Sequence, residues 1–340
     1  MNRRIATLLV ALLPVLVLGV LGTVVTVPFA ALGPGPTFNT LAEVDGKQVV
    51  DIEGTPVDPT SGNLNMTTVA VRDGLNVFEA LGLWLSGRQG LVPREEVYPP
   101  EKTEQEIQDA NQADFQQSEN SAELAALHFL DLPVDLRIKD VSDDGPAANA
   151  LRDGDTLVSI DGKPVTTVSG VQDVVGDIAP DTSITLDILR DGAPVSETVT
   201  VGARPGDTGR GYLGVTPEEV PNVPFDVTFN LADIGGPSAG LMFTLAVIDK
   251  LSPGELSGGR FVAGTGTIAS DGTVGPIGGI PYKLIAAREA GATTFLVPSE
   301  NCDEAKAHAQ DGLQLVKVDS LGSAVDSLTS LRSGGDAPSC

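Results

Sequence analysis

Histidine, cysteine, aromatic and basic residues are all scarce in this chain of 340 residues. Its 2 histidines and 2 cysteines cannot supply a strong zinc signature, which needs several such ligands at fixed spacings, so we expect no metal site. Aromatic residues make up 4% of the chain, so its cores must be built mainly from aliphatic side chains. The 21 basic residues face 46 acidic ones, and the net charge of −25 argues against binding to nucleic acid or broadly to an anionic lipid surface.

A nucleotide-binding loop is also missing from the sequence. No Gly-x-x-x-x-Gly-Lys-Ser/Thr segment occurs, and such a segment is what cradles the phosphates of ATP in many nucleotide-dependent enzymes. We therefore expect no cofactor and no use of ATP.

The N-terminus carries a long apolar stretch. After Arg3 and Arg4, no charged residue occurs from Ile5 to Ala42. A helix needs about 20 apolar residues to cross a bilayer, and the two arginines predict a cytoplasmic N-terminus. We expect residues 1–32 to form a transmembrane anchor, with the rest of the chain, including any catalytic domain, outside the cytoplasm. The alternative is a cleaved signal peptide, whose apolar core is usually only about 7–15 residues long.

Residues 131–204 resemble a PDZ domain of the type found in bacterial secreted proteases. The segment 144–165 (DGPAANALRDGDTLVSIDGKPV) carries the resemblance, with a predicted short helix, a strand and a turn. Such domains bind an extended peptide by adding it to the edge of a sheet. We expect the entrance of this groove at Leu132, Pro133 and Val134. The alternative is a spacer that only positions the next domain.

A second informative segment surrounds Ser238. The pattern of apolar residues predicts that a helix begins at or near this serine. Gly235, Gly236, Pro237 and Ala239 are small or restricted residues that would let a substrate backbone approach closely. Main-chain N–H groups in this loop, aided by the helix dipole, could stabilise an oxyanion. Taken alone, the serine could equally be a helix cap.

A serine nucleophile needs a base, and lysine is the better candidate in this sequence. His128 lies far from the serine in sequence, and His308 is predicted in a surface helix. Lys283 is predicted in the first turn of a helix among apolar neighbours, and both features disfavour a charged ammonium. Lys250 follows an aspartate at a helix end and Lys306 has carboxylates nearby, so we expect both to stay charged.

The order and spacing of these segments resemble the proteolytic domain of Lon-type peptidases. Residues 262–283 (VAGTGTIASDGTVGPIGGIPYK) align without gaps with the family segment that ends in the lysine of its Ser-Lys dyad. The resemblance implies that Ser238 is the nucleophile, that Lys283 is the base, and that Thr265 orients the lysine. The family often has an acidic residue three positions before the serine; this chain has glycine there, with Asp233 nearby.

The whole arrangement resembles the ATP-independent, PDZ-containing Lon-like proteases of Gram-positive bacterial envelopes. It implies a multidomain fold of the α+β or α/β type that joins a transmembrane helix, a β-rich PDZ-like domain and an α/β proteolytic domain. The expected parts are an anchor, an N-terminal external region, the PDZ domain, the proteolytic domain and a tail, at residues 1–32, 33–130, 131–204, 205–335 and 336–340. The expected function is a serine endopeptidase that cleaves membrane or secreted proteins of the cell envelope. Such domains tend to form rings, so an oligomer is compatible with the resemblance.

Three further alternatives stay open. The chain could be a catalytically silent PDZ-based binding protein or scaffold. It could be a phosphate-binding enzyme that uses the glycine-rich loop 275–283, although no base cluster accompanies that loop. Cys302 and Cys340 could form a disulfide that ties down the tail, or remain two free thiols, because sequence does not set the distance between them.

Overall fold

A computed structural model describes residues 3–232 and 234–340, with side chains from residue 11 onward. The helices are α1 Arg3–Val24, α2 Val77–Leu85, α3 Arg94–Val97, α4 Glu104–Phe129, α5 Val168–Gly176, α6 Gly240–Leu251, α7 Ile280–Ala290, α8 Cys302–Ala307 and α9 Leu321–Arg332. The strands are β1 Phe29–Asn39, β2 Glu43–Val44, β3 Lys47–Gln48, β4 Val50–Glu53, β5 Asn63–Arg72, β6 Gly90–Pro93, β7 Val134–Val141, β8 Thr156–Ile160, β9 Lys163–Pro164, β10 Ser183–Arg190, β11 Ala193–Thr200, β12 Gly202–Arg204, β13 Asp207–Tyr212, β14 Val215–Pro221, β15 Asp226–Phe229, β16 Phe261–Gly264, β17 Thr267–Ile268, β18 Val274–Gly275, β19 Thr294–Pro298 and β20 Gln314–Val318.

One six-stranded sheet combines the two ends of the chain. Its order is β20-β19-β16-β5-β1-β6, with parallel pairing from β20 to β5 and antiparallel pairing from β5 to β6. Val262 lies opposite Thr294 on one side and Leu64 on the other. The regions 33–130 and 205–335, which the sequence suggested as separate parts, therefore share one sheet. Their pairing joins residues about two hundred positions apart, which local periodicity does not reveal.

Helices cover both faces of this sheet. Helix α6 is buried along its length from Gly240 to Lys250. It shares a large apolar core with α4 and α9, in which Phe243 meets Phe115 of α4. Helices α7 and α8 form a second core on the other face, around Leu284 and Phe295. The buried central helix fixes the position of the loop that precedes it, which contains Ser238.

A second sheet forms the unit that the sequence predicted to be PDZ-like. Strands β11-β10-β8-β7-β14 pair in that order, and α5 packs on them. Its core is aliphatic, as the shortage of aromatic residues predicts, with Ile138, Ile160, Leu186 and Ile188 almost completely buried. The last strand of the sheet, β14, lies beyond residue 204, where the sequence placed the boundary of this unit.

The predicted transmembrane anchor is wrong, and with it the single-pass topology with an extracytoplasmic catalytic domain. Across the described residues, no helix combines the length and the apolar character needed to cross a membrane. The helix ends at Val24, and the apolar residues from Phe29 onward belong to β1, where Ala30 and Ala31 are buried in the sheet.

The C-terminal tail is fastened to the main sheet. A disulfide joins Cys340 to Cys302 at the start of α8, with 5.1 Å between their Cα atoms. Ser339 also forms a β-bridge with Val316 of β20. The tail therefore packs beside the core that contains α7 and α8.

Candidate active site

Ser238 lies in the short loop that leads into α6. The first helical residue is Gly240, so the serine precedes the helix by two positions, close to where the sequence predicted the helix to begin. The loop passes close to its neighbours: a Cβ atom on Gly240 would lie 2.7 Å from the side chain of Ile268. Glycine at this position allows the serine loop to pack directly against β17.

Lys283 reaches the serine from the opposite side of the sheet. It is the fourth residue of α7, which begins after Gly279 in a left-handed conformation with φ of 72°. The lysine side chain is buried, with 2% exposure, and its Nζ atom lies 2.8 Å from Ser238 Oγ. The structure thus brings the predicted nucleophile and the predicted base into hydrogen-bond contact across 45 residues of sequence.

Thr265 connects the lysine to the serine backbone. It follows β16 directly, is 1% exposed, and its Oγ1 atom accepts a hydrogen bond from Lys283 Nζ at 2.8 Å. The same hydroxyl donates to the carbonyl oxygen of Ser238 at 3.1 Å. The N–H group of Gly266 donates to that carbonyl as well, at 3.0 Å. These bonds fix the serine loop and hold Lys283 Nζ within hydrogen-bond distance of Ser238 Oγ.

The electrostatic environment favours a neutral lysine. Burial lowers the pKa of Lys283 to about 7. In the described part of the chain, no carboxylate forms an ion pair with it; its two hydrogen-bond partners are hydroxyl groups. A lysine that is neutral at physiological pH can accept a proton, which an ordinary charged lysine cannot.

The main-chain N–H groups of the predicted oxyanion loop differ in whether they are already hydrogen-bonded. Gly236 donates its N–H group to the carbonyl oxygen of Asn111 at 2.9 Å, and Pro237 has no N–H group to give. Among the described residues, the main-chain N–H groups of Ser238 and Ala239 have no recorded main-chain acceptor. These two groups are therefore the ones free to bind a developing oxyanion. Asp233, which is close to this loop in the sequence, lies outside the described residues.

Helix α4 supports the loop, which the sequence did not predict. Ser118 donates to the carbonyl oxygen of Pro237 at 3.1 Å, one residue before the serine. Asn111 accepts the bond from Gly236, and Phe115 lies between them against the core. Nothing local in the sequence of this helix indicates which partner it contacts.

A pocket of about 390 Å³ opens above the dyad. Besides the serine loop, its wall includes Met66, Thr68 and Val69 of β5, and Pro36 of β1. The sequence showed no catalytic constellation in this N-terminal region, and its contribution is a wall of the pocket. The signal that could have found it is long-range strand pairing, which one sequence does not display.

The predicted groove entrance at Leu132, Pro133 and Val134 lies where helix α4 passes into strand β7. The main-chain N–H of Leu132 donates to the carbonyl oxygen of Leu127 at the end of α4, and the carbonyl oxygen of Pro133 accepts a hydrogen bond from Asn222. Val134 begins β7 and pairs with Pro221 of β14, and β7 pairs with β8 further along, at Arg137.

A groove does lie beside α5, along the last strand of that sheet. Its volume is about 140 Å³, and Val171 and Val175 of α5 face Val215 and Pro217 of β14 across it. The segment 211–214 closes one end. This is an apolar groove at a free sheet edge, which is the arrangement that β-strand addition of a peptide requires.

Glu219 links this groove to the rest of the molecule. It lies on β14, and its carboxylate accepts hydrogen bonds from the N–H group of Val168 at the start of α5, at 2.8 Å, and from His128 Nε2 of α4, at 3.2 Å. Burial raises the pKa of Glu219, but hydrogen bonds from His128, Val168 and Ser270 outweigh it and leave the pKa below its usual range. His128 therefore serves as a structural contact between units.

Comparison with known proteins accounts for both units. Residues 232–330 match the Lon protease (S16) C-terminal proteolytic domain, and residues 110–201 match the PDZ domain. The chain contains a Lon-type proteolytic domain and a PDZ domain. The match to the Lon-type domain includes the serine loop, the threonine and the lysine that meet in the pocket.

Segments of the chain resemble two kinds of curated protease and a solved PDZ domain. The Lon protease of Heliobacterium modesticaldum is 39% identical over 89 residues, which are 25% of this chain and 11% of that protein. A probable periplasmic serine endoprotease, DegP-like, of Pseudomonas fulva is 36% identical over 92 residues, 27% of this chain and 19% of that protein. The crystal structure of the PDZ domain of an SdrC-like protein from Listeria monocytogenes is 21% identical, with a TM-score of 0.23, and covers 24% of this chain and 85% of that one. The chain thus spans less than a fifth of the length of these two curated relatives.

Proposed function

We propose that this chain is an ATP-independent serine endopeptidase in which Ser238 is the nucleophile and Lys283 the general base. The observation that carries the proposal is the contact of 2.8 Å between Lys283 Nζ and Ser238 Oγ, inside a pocket where burial holds the lysine pKa at about 7. The membership of this segment in a Lon-type proteolytic domain supports it.

The chemistry is acyl transfer. Neutral Lys283 removes the hydroxyl proton of Ser238 while Oγ attacks a peptide carbonyl carbon, and the resulting oxyanion is bound by the N–H groups of Ser238 and Ala239. The protonated lysine then gives its proton to the leaving amine, and the peptide bond breaks to leave an ester on the serine. A water molecule, deprotonated by the same lysine, hydrolyses that ester. Thr265 keeps Lys283 Nζ beside Ser238 Oγ through each step.

The PDZ domain is proposed to select substrates. The groove between α5 and β14 would hold an extended segment or a chain terminus by strand addition. Residues 1–340 contain no Gly-x-x-x-x-Gly-Lys-Ser/Thr loop for ATP, so the proposed cleavage is not coupled to ATP-driven unfolding. We therefore expect limited cleavage of accessible segments rather than processive degradation.

The test compares the wild-type chain with Ser238→Ala on an unfolded protein and on a tightly folded one, each with and without ATP. We expect cleavage of the unfolded protein by the wild type alone, with no effect of ATP. Loss of the folded protein that is stimulated by ATP would contradict the absence of a nucleotide requirement. Equal behaviour of the two variants would contradict the serine's role and favour a silent PDZ-based binding protein.

A further inference from the structure

A second hollow adjoins the pocket of the dyad. It has a volume of about 720 Å³ and lies between α4 and the segment that runs from Phe229 to the serine loop. The two hollows share Phe115, Ile234 and Gly235, so they form one continuous cleft that leads away from Ser238. A polypeptide whose scissile bond lies at the serine would extend through this cleft on one side of that bond.

The floor of the cleft includes main chain that follows strand β15 and belongs to no strand or helix in its described residues. Strand β15 ends at Phe229, and Asn230 is the last residue before the cleft whose N–H group bonds to main chain, at Val49. For the described residues between 231 and 235, no main-chain hydrogen bond is recorded. An extended substrate can pair with these groups regardless of its sequence. Selectivity must then come from the side chains that line the opposite wall.

That wall is one face of α4. Gln108, Gln112, Gln116 and Glu119 recur at spacings of three or four residues, which places them in a row along the helix. In the described part of the chain, no intramolecular hydrogen bond or ion pair holds any of these four side chains. Their amide and carboxylate groups are therefore available to a guest in the cleft.

Glu119 is the charged member of this row. No other carboxylate and no basic side chain lines this hollow among the described residues, and Lys283 is the only cation that lines the adjoining pocket. Ser118, its neighbour, contacts Pro237 next to the nucleophile, so Glu119 lies within reach of the first few substrate residues beside the scissile bond.

The cost of burying the charged Glu119 carboxylate is not offset by a hydrogen bond or a positive charge from the described residues. Burial alone raises the pKa of Glu119 to about 7. One turn further along α4, burial and then repulsion from Asp226 of β15 raise the pKa of Glu123. A cationic guest would offset the desolvation of Glu119 and favour its ionised form.

We propose that this cleft selects substrates that carry a lysine or arginine side chain within a few residues of the scissile bond, and that Glu119 is the residue that recognises it. The half-buried carboxylate binds the ammonium or guanidinium group, and the glutamine row supplies hydrogen-bond partners along the way. This inference rests on the proposed peptidase function and names the class of substrate for the same site.

The test begins with a peptide library in which cleavage sites are mapped by mass spectrometry for the wild-type chain. It continues with matched peptides that carry lysine or norleucine at the selected position. Norleucine keeps the length of the side chain and removes its charge. We expect the wild type to cleave the lysine peptide about tenfold faster in kcat/KM, since a half-buried ion pair of about 1.4 kcal/mol corresponds to that factor.

The variant that decides is Glu119→Gln, for which the ratio of the two kcat/KM values should fall to about one. Asp114→Asn, on an exposed part of α4 that does not line the cleft, is the matched control and should keep the wild-type ratio. The ratio should also decline as pH falls below about 7, where Glu119 becomes protonated.

Two results overturn the inference alone: no preference for a basic residue although norleucine peptides are cleaved, or an unchanged preference in Glu119→Gln. A different result would count against the peptidase function itself. If the wild type cleaves neither the library nor an unfolded protein, and so behaves like Ser238→Ala, the proposed function fails and this inference fails with it. The two failures are therefore distinguishable by the cleavage of uncharged peptides.

Discussion

A buried lysine lies near each end of helix α6: Lys283 of α7 at the N-terminal end, and Lys250 of α6 itself at the C-terminal end. The two lysines differ in the groups that surround them. At the N-terminal end, Lys283 contacts the hydroxyl groups of Ser238 and Thr265. At the C-terminal end, Lys250 donates to the carbonyl oxygen of Val50 and to the side-chain oxygen of Gln48. Both lysines are nearly inaccessible, with 2% and 7% exposure.

The difference lies in the partners rather than in the burial. Burial lowers the pKa of both lysines; for Lys250 the carboxylates of Asp51 and Asp249 act in the opposite direction without cancelling this effect, whereas burial is the cause that acts on Lys283. The acceptors around Lys250 stabilise an ammonium, whereas a free amine at Lys283 could take the proton of the serine hydroxyl. In the proposed mechanism, the lysine that acts as the base is the one that lines a pocket and has hydroxyl groups as its side-chain partners.

The largest expected effect separates the two lysines by activity. Lys283→Met should lower kcat/KM for peptide cleavage by about 10³-fold, because the general base is lost. Lys250→Met should leave kcat/KM within about twofold and lower the free energy of unfolding by about 1–3 kcal/mol, because two buried acceptors lose their donor. Steady-state kinetics and denaturant unfolding of both variants check this. A comparable loss of activity in both would remove the distinction.

The next effect concerns the threonine that orients the base. Thr265→Val removes the hydroxyl that bonds to Lys283 and to the Ser238 carbonyl, and should lower kcat about 10–100-fold with little change in KM. Thr265→Ser keeps the hydroxyl and should retain most of the activity. If both substitutions have the same effect, the packing of the side chain matters rather than its hydrogen bonds.

The pH dependence of cleavage sharpens the comparison. The reaction needs neutral Lys283, whose pKa is about 7, so kcat/KM for an uncharged peptide should fall about tenfold per unit below that pH and level off above it. A lysine with an ordinary pKa would give a rise that continues to about pH 10. A profile that is flat between pH 5 and 7 would contradict the assignment of the base.

The smallest expected effect is on the free energy of unfolding, and it concerns Asp249 at the C-terminal end of helix α6. Burial raises the pKa of Asp249 to about 6, one carboxylate oxygen has no partner, and the other accepts the N–H of Leu256. The folded state thus favours the protonated acid, and this contribution is present below about pH 4 and lost as pH rises through about 6. Asp249→Asn keeps the acceptor and avoids the charge.

The variant should therefore gain about 1–3 kcal/mol in free energy of unfolding relative to the wild type between pH 4 and pH 7. Urea unfolding at several pH values measures this difference. Asp303→Asn, at an exposed position of α8, is the control and should show no such window. An equal pH dependence of Asp249→Asn and wild type would show that the buried carboxylate stays ionised at no cost.

Local patterns were sufficient to predict the parts of the active site that lie within short segments. The serine loop before a helix, and the lysine near the start of another, follow from glycine-rich turns and from apolar periodicity, and α7 begins at Ile280 where the pattern indicated. The segment 261–268 forms two strands rather than one, because Thr265 and Gly266 leave the sheet to hold the serine loop.

Features that depend on distant pairing could not be predicted in the same way. The parallel pairing of β5 with β16, and the contacts of Asn111 and Ser118 with the serine loop, join segments separated by more than a hundred residues. The groove beside β14 could not be predicted either, because the strand order of the second sheet decides which edge is free. The N-terminal apolar stretch was misread because length and composition alone do not show where a helix ends.

The acyl-enzyme tests the central claim most directly. The wild type, Lys283→Met and Lys250→Met would each be mixed with an activated peptide ester, and the acylated residue identified by mass spectrometry of proteolytic fragments. The account predicts a single acyl group on Ser238 in the wild type and in Lys250→Met, formed at a rate that falls below about pH 7, and formation at least about 100-fold slower in Lys283→Met. An acyl group on another residue, or the same rate in Lys283→Met as in the wild type, would contradict it.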